Sequence, residues 1–230
     1  MEVFRFSNAI KFAFISIVFL ILSFTNLAYS NSPAQADYLF ERGRLCIIDG
    51  DFNRAVQYLR ESAEIGSAYA QFVLALCYAD GKGVERNYAE AFKWMKRAAE
   101  SGNLDASWNA NAQFFLAECY ADGNGVERNY AESLKWMRRA AKSGNADAQL
   151  HLALCYAEGN GVECNDAEAF KWFKRAAESG NADAQFGVAL SYVTGCGVER
   201  NVAESLKWLK RAAESGNTDA QEMLKKTGNY

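Results

Sequence analysis

Four near-copies of one ten-residue phrase run through this chain: WMKRAAESGN from Trp94, WMRRAAKSGN from Trp136, WFKRAAESGN from Trp172 and WLKRAAESGN from Trp208. The last three tryptophans stand 36 residues apart, whereas Trp94 and Trp136 are separated by 42. The six surplus residues fall between Gly102 and Gln113, around LDASWNANA. No other feature constrains the fold as strongly. A unit of this length is one supersecondary element with too little core to stand alone, so it must bury its apolar faces against neighbouring copies.

Each unit reads as two helices. Asn87, Asn129, Asn165 and Asn201 each precede a glutamate by three residues (Glu90, Glu132, Glu168, Glu204). The asparagine is expected to cap the second helix and the glutamate to reach back to the cap. Lys96 and Arg97 suit the negative end of the helix dipole, and Gly102 ends the helix. At 100° per residue, Tyr88, Ala91, Phe92, Trp94, Met95, Ala98 and Ala99 share one face and are expected to be buried. The first helix, Ala70 to Ala79, is apolar almost all round, and a glycine-bearing turn such as Gly81-Lys82-Gly83-Val84 joins the two.

The expected organisation is a leader at 1–30, a degenerate capping unit at 37–66, and full units at 67–102, 103–144, 145–180 and 181–216. The second of these units carries the insertion, and a capping helix at 217–230 closes the array. The leader has Arg5 and Lys11 ahead of an uncharged, largely apolar run of 13 residues, Phe12 to Phe24. That is short of the roughly 20 residues of a membrane span and suits a signal peptide cleaved near 30 or 36. The protein is therefore expected to be exported, periplasmic or secreted, and to touch a membrane only through an uncleaved leader. With a net charge of −3, nucleic acid is not an expected partner.

These residues resemble the Sel1-like repeat, a relative of the tetratricopeptide repeat. The resemblance rests on Ala70, Leu74, Ala75, Tyr78, Gly81, Gly83, Val84, Ala91, Trp94, Lys96, Ala98, Ala99 and Gly102, with equivalents in three further copies. It implies an all-α, right-handed superhelical α-solenoid that acts as a scaffold for protein–protein contacts in envelope function or host interaction. No catalytic residue, metal or cofactor is expected, and the chain is expected to be a monomer. Cysteine-rich members of the family include penicillin-binding or β-lactamase-like proteins, which makes a hydrolase one alternative. Their closely spaced cysteine pairs are absent from this sequence.

Other candidate chemistry is weighed residue by residue. The glycine pairs follow no strand, so they read as turns and not as a phosphate cradle. His151 is the sole histidine, and it reads as a groove-lining or partly buried side chain. Cys46, Cys77, Cys119 and Cys155 share one repeat position and read as core thiols, too far apart to pair. Cys164 and Cys196 break the pattern in adjacent turns. A bond between them would close about 30 residues and contribute about 3–4 kcal/mol; two free thiols are the alternative. The stripe formed by Lys93, Lys96, Arg97 and their equivalents reads as a solvated face, or alternatively as a contact for anionic envelope surfaces.

The copies also serve as an internal comparison. Positions equivalent to 73, 76 and 80 vary: Val73, Phe115, His151, Gly187; Leu76, Glu118, Leu154, Leu190; Asp80, Asp122, Glu158, Thr194. Their spacing puts them on one side of the first helix. They are expected to line a concave groove for a protein partner. Trp108, in the insertion, is a further candidate anchor, or else packs over a lengthened first helix.

Overall fold

The computed structural model describes residues 32–228, and within them the chain divides after Arg86 into two compact units. Among the described residues there are eleven α-helices and no strand, the all-α repeat architecture that the period demanded. The leader, its apolar run and the Ala28–Ser30 cleavage site lie outside the described residues.

The first unit holds α1 (Pro33–Ile48), α2 (Phe52–Ile65) and α3 (Ala68–Asp80). Ser32 caps α1, accepting the Gln35 amide at 3.2 Å, with Pro33 in the first turn where its missing N–H costs nothing. Buried Ser62 donates to the Ala36 carbonyl at 2.6 Å and ties α2 to α1. Gln71 Nε2 donates to the Ala63 carbonyl at 3.1 Å, satisfying an acceptor that the end of α2 leaves open.

The second unit holds α4 (Tyr88–Glu100), α5 (Ala106–Asp122), α6 (Tyr130–Lys142), α7 (Ala146–Glu158), α8 (Asp166–Glu178), α9 (Ala182–Thr194), α10 (Val202–Glu214) and α11 (Thr218–Thr227). The hairpin turns close the same way each time: the Asn129, Asn165 and Asn201 amides donate to the Tyr120, Tyr156 and Tyr192 carbonyls at 2.8, 2.8 and 2.9 Å. The same asparagines then cap the second helix, each Oδ1 accepting the amide three residues on. The glutamates do not complete the expected reciprocal bond. Glu90, Glu132, Glu168 and Glu204 instead pair with Lys93, Lys135, Lys171 and Lys207.

Alanines make the packing. Ala140, Ala176 and Ala212 are fully buried, as are Ala112, Ala148 and Ala184 on the first helices. Such small side chains let helix axes approach closely, and the larger side chains Leu152, Val188 and Trp208 fill the intervals. Phe92 meets Tyr120, and Phe170 meets Tyr192, edge to face at 5.3 and 5.4 Å, joining one repeat's second helix to the next repeat's first. The tyrosine of position 88 departs from the expected buried face. Tyr88 is 39% and Tyr130 58% exposed, because the first turn of the second helix stands at the mouth of the hairpin.

An amide ladder sets the repeat register. Asn145, Asn181 and Asn217 cap α7, α9 and α11, and their Nδ2 groups donate to Asn111, Asp147 and Asp183 of the preceding first helix at 2.8, 2.9 and 2.7 Å. Asn181→Asp keeps the cap but sets a carboxylate against Asp147. It is expected to lower stability by about 1–2 kcal/mol in denaturant titration. Adding Asp147→Asn should restore most of that loss, because the amide and carboxylate have then only changed places. Failure of the pair to recover would show that the ladder does not couple the repeats.

The insertion interrupts this scheme. It lengthens α5 to 17 residues, with Asp105 as the cap in place of Asn109. Asn109 is thereby drawn into the helix and its Oδ1 is buried without a hydrogen-bond partner. Gln113, displaced from the role that Gln149 and Gln185 play, accepts from Ser143 Oγ at 3.3 Å instead.

Candidate functional site

In the second unit, the first helices α5, α7 and α9 stand beside one another, as the amide ladder shows, and leave one side to solvent. Residues at i, i+4, i+7 and i+11 share that side. On α7 these are Asp147, His151, Leu154 and Glu158, all exposed. On α5, Glu118 and Asp122 are exposed and Phe115 is half-buried. On α9, Asp183 and Leu190 are exposed. Leu154 and Leu190 keep 38% and 36% of their surface in water, although the helices they sit on are otherwise packed. The ring of His151 lies 5.7 Å from Phe114, so the histidine is shelved on an aromatic and not enclosed.

The electrostatics of this side are one-signed. The segments forming α5, α7 and α9 contain no lysine or arginine. Partial burial, with Asp122 and Asp147 close by, pushes the Glu118 carboxyl above the usual glutamate range. Glu118 lies on α5 and Asp147 on α7, so adjacent repeats already pool their negative charge.

In the first unit, the equivalent side of α3 carries Leu76, 38% exposed, with Val73 half-buried. Asp80 is exposed and paired with Lys82 at 2.8 Å. Trp108 sits half-buried in the added first turn of α5, its amide accepted by Asp105 at 3.0 Å.

Variation at position 73 has a cause besides recognition. A Cβ on Gly187 would lie 2.8 Å from the Phe173 ring of α8, so this copy carries glycine because its neighbour carries phenylalanine. Sequence comparison also missed Asp147 and Asp183. They vary with Tyr69 and Asn111 four residues before position 73, a spacing that would have found them.

The cysteines separate as the copies implied, with one difference. Cys46, Cys77 and Cys119 are buried, but Cys155 is only half-buried. Burial raises the Cys77 and Cys119 thiols to about 11 and about 12, so they stay protonated at neutral pH. Cys164 and Cys196 are not joined here; both are exposed free thiols. Cys164 Sγ donates to the Ala157 carbonyl at 3.3 Å, taking the place that Arg128 Nε fills at the Ala121 carbonyl.

The basic stripe is largely internally engaged. Its first lysine pairs with glutamate in every copy, and Arg97, Arg139, Arg175 and Arg211 lie over their tryptophan rings at 4.9, 4.8, 4.7 and 4.9 Å. Open hollows of about 410 and 520 Å³ along α8 and α10 are lined by these same mixed charges.

Comparison with known proteins agrees with this architecture. The Sel1 repeat pattern matches residues 26–67, 68–103, 110–145, 146–181 and 182–217. A Sel1 repeat protein from Oxalobacter formigenes is similar in structure, with a TM-score of 0.70, 37% identity, and 77% of this chain and 49% of that one covered. A protective antigen present in uropathogenic Escherichia coli strains, displaying an SLR fold, has a TM-score of 0.74 and 31% identity, over 81% of this chain and 39% of that one. Among curated proteins, DAP3-binding cell death enhancer 1 of Mus musculus is 43% identical over 56 residues, 24% of this chain and 11% of its own length. The chain thus spans half or less of the length of each of these three relatives.

Proposed function

The chain belongs to the Sel1 repeat family, and on that premise we propose that it is a non-enzymatic adaptor holding a protein partner on the open side of its first helices. Sel1 repeat proteins bind protein partners in general. The observation that carries the reading here is the row Leu154 and Leu190, left in water on helices whose other sides are packed. The packing covers these leucines only in part, and their position admits Glu118 in one copy while Ala75 and Tyr78 and their equivalents do not change. Anionic surfaces are a weaker fit, because two of the three cations in each copy of the stripe are engaged by their own glutamate and tryptophan.

Export belongs to the same reading. Arg5 and Lys11 before Phe12–Phe24 support a secretory leader, and the similar protein present in uropathogenic Escherichia coli strains is a protective antigen. Among the described residues no helix is long and apolar enough to cross a membrane. Cleavage near 30 fits the fold better than cleavage near 36. Ala36 is buried in α1 and its carbonyl is held by Ser62, so the later cut would remove the capped first turn.

The test is capture from envelope and host extracts by the mature chain and by a variant with Glu118, His151, Leu154 and Leu190 replaced by alanine. All four are exposed, so helicity should be unchanged. A protein retained by the native chain and lost by at least about tenfold from the variant is the expected outcome. Equal retention by both would move the site off this side.

A further inference from the structure

We propose that the partner segment seated on α5, α7 and α9 is a basic amphipathic helix, its aliphatic side on Leu154 and Leu190 and its cations against the flanking carboxylates. This rests on the adaptor reading and names the chemistry of its partner. Two independent features point to it.

The first is the apolar row. Leu154 and Leu190 occupy the same position in consecutive repeats, and Val193, on the turn of α9 after Leu190, is 37% exposed. Neighbouring first helices stand on the order of 10 Å apart. A partner helix presents side chains on one side at about 10.5 Å intervals every two turns, so leucines seven residues apart can meet both positions.

The second is charge. The apolar row is flanked by Asp147 and Asp183 at one end of the helices and by Asp122 and Glu158 at the other, with Glu118 in line with the leucines. Among the described residues, no lysine or arginine pairs with any of these five. Asp147 and Asp183 accept neutral amides, from Asn181 and Asn217. The second helices carry Glu90, Glu132, Glu168 and Glu204 at one position, yet each of those is matched by its own lysine. The first-helix side is therefore left with negative charge that no cation of its own pairs. Folding has no use for that repulsion, whereas a cationic partner would relieve it. An acidic partner, nucleic acid or an anionic membrane would meet like charge here.

The probe is a fluorescein-labelled 21-residue synthetic helix with leucines recurring on one side and lysines and arginines elsewhere. Its counterpart carries glutamate at every basic position. Anisotropy titration of the full mature chain is expected to show the basic peptide binding at least about tenfold more tightly than the acidic one, with affinity falling as salt rises. The variant E118Q/D122N/D147N/E158Q should lose about tenfold, and L154N/L190N a similar factor. K171Q/K207Q, on the second helices, should bind like the native chain. Unchanged far-ultraviolet circular dichroism guards each comparison. No binding, equal affinity for the two peptides, or indifference to both first-helix variants overturns the assignment.

A photo-reactive phenylalanine derivative replacing Leu154 separates this failure from failure of the adaptor reading. Crosslinks to extract proteins without basic-peptide binding would leave an adaptor with a differently charged partner. Absence of both would end both readings.

Discussion

Gly125→Ala should unfold the chain at a markedly lower denaturant concentration than Gly161→Ala, although the two glycines occupy the same turn position. Their backbones are alike, with φ of +75° and +71°. Placing a side chain on that conformation costs about 1–2 kcal/mol in either case. The surroundings differ. A Cβ on Gly125 would sit 2.0 Å from the Tyr88 carbonyl oxygen and 2.7 Å from the Ala89 nitrogen, backbone atoms opening α4. A Cβ on Gly161 would meet only the Leu134 Cδ2 atom at 3.6 Å, an ordinary contact. Gly125→Ala must therefore push its turn away from the helix start of the previous repeat. A loss of about 3 kcal/mol or more is expected, against about 1–2 for Gly161→Ala. Equal midpoints for the two variants would mean that the approach of turn to helix contributes nothing. Gly197 is the internal replicate, since its Cβ would lie 2.0 Å from the Asp166 carbonyl oxygen.

The second large effect is expected at Gly187. Gly187→Val drives a branched side chain into the Phe173 ring, which already leaves no room for a Cβ. Overpacking of this kind costs about 1–3 kcal/mol, and the crowded ring puts this case at the upper end. Phe173→Leu alone removes ring atoms from the cluster around Val188 and Ala189 and should cost about 1–3 kcal/mol as a cavity. The two changes made together are expected to cost less than their sum by at least about 1 kcal/mol, because each fills or vacates the same space. Thermal melts of the four chains measure that coupling directly. Strict additivity would show that position 73 is free of packing constraint here, and its variation would then belong wholly to recognition.

The Gly187–Phe173 pair also marks the boundary of what comparing copies can reveal. Of the positions that change among repeats, 76 and 80 and their equivalents are exposed, whereas at position 73 only His151 is exposed and Val73, Phe115 and Gly187 are half-buried. The same comparison cannot separate a residue that varies because a partner selects it from one that varies because a neighbour crowds it. Phe115 and Gly187 sit at one position, yet the first is a half-buried aromatic and the second a packing accommodation. Tyr88, expected in the core, stands in water for a related reason. A helical wheel gives the direction of a side chain but not how far along its helix the neighbour extends.

Chain order alone determined the repeat, the two-helix unit, the caps and the ends of the helices. These depend on interactions within about four residues, or on periodicity that any copy repeats, so they are written locally. Only the tertiary structure decided the rest. It brought Gly125 onto Tyr88 and set Asn181 against Asp147. It also left the acids and leucines of α5, α7 and α9 together in water. Each of these joins groups whose separation in space follows from how the hairpins stack, and stacking is set by the summed fit of many alanine-lined contacts, which no single stretch of sequence contains.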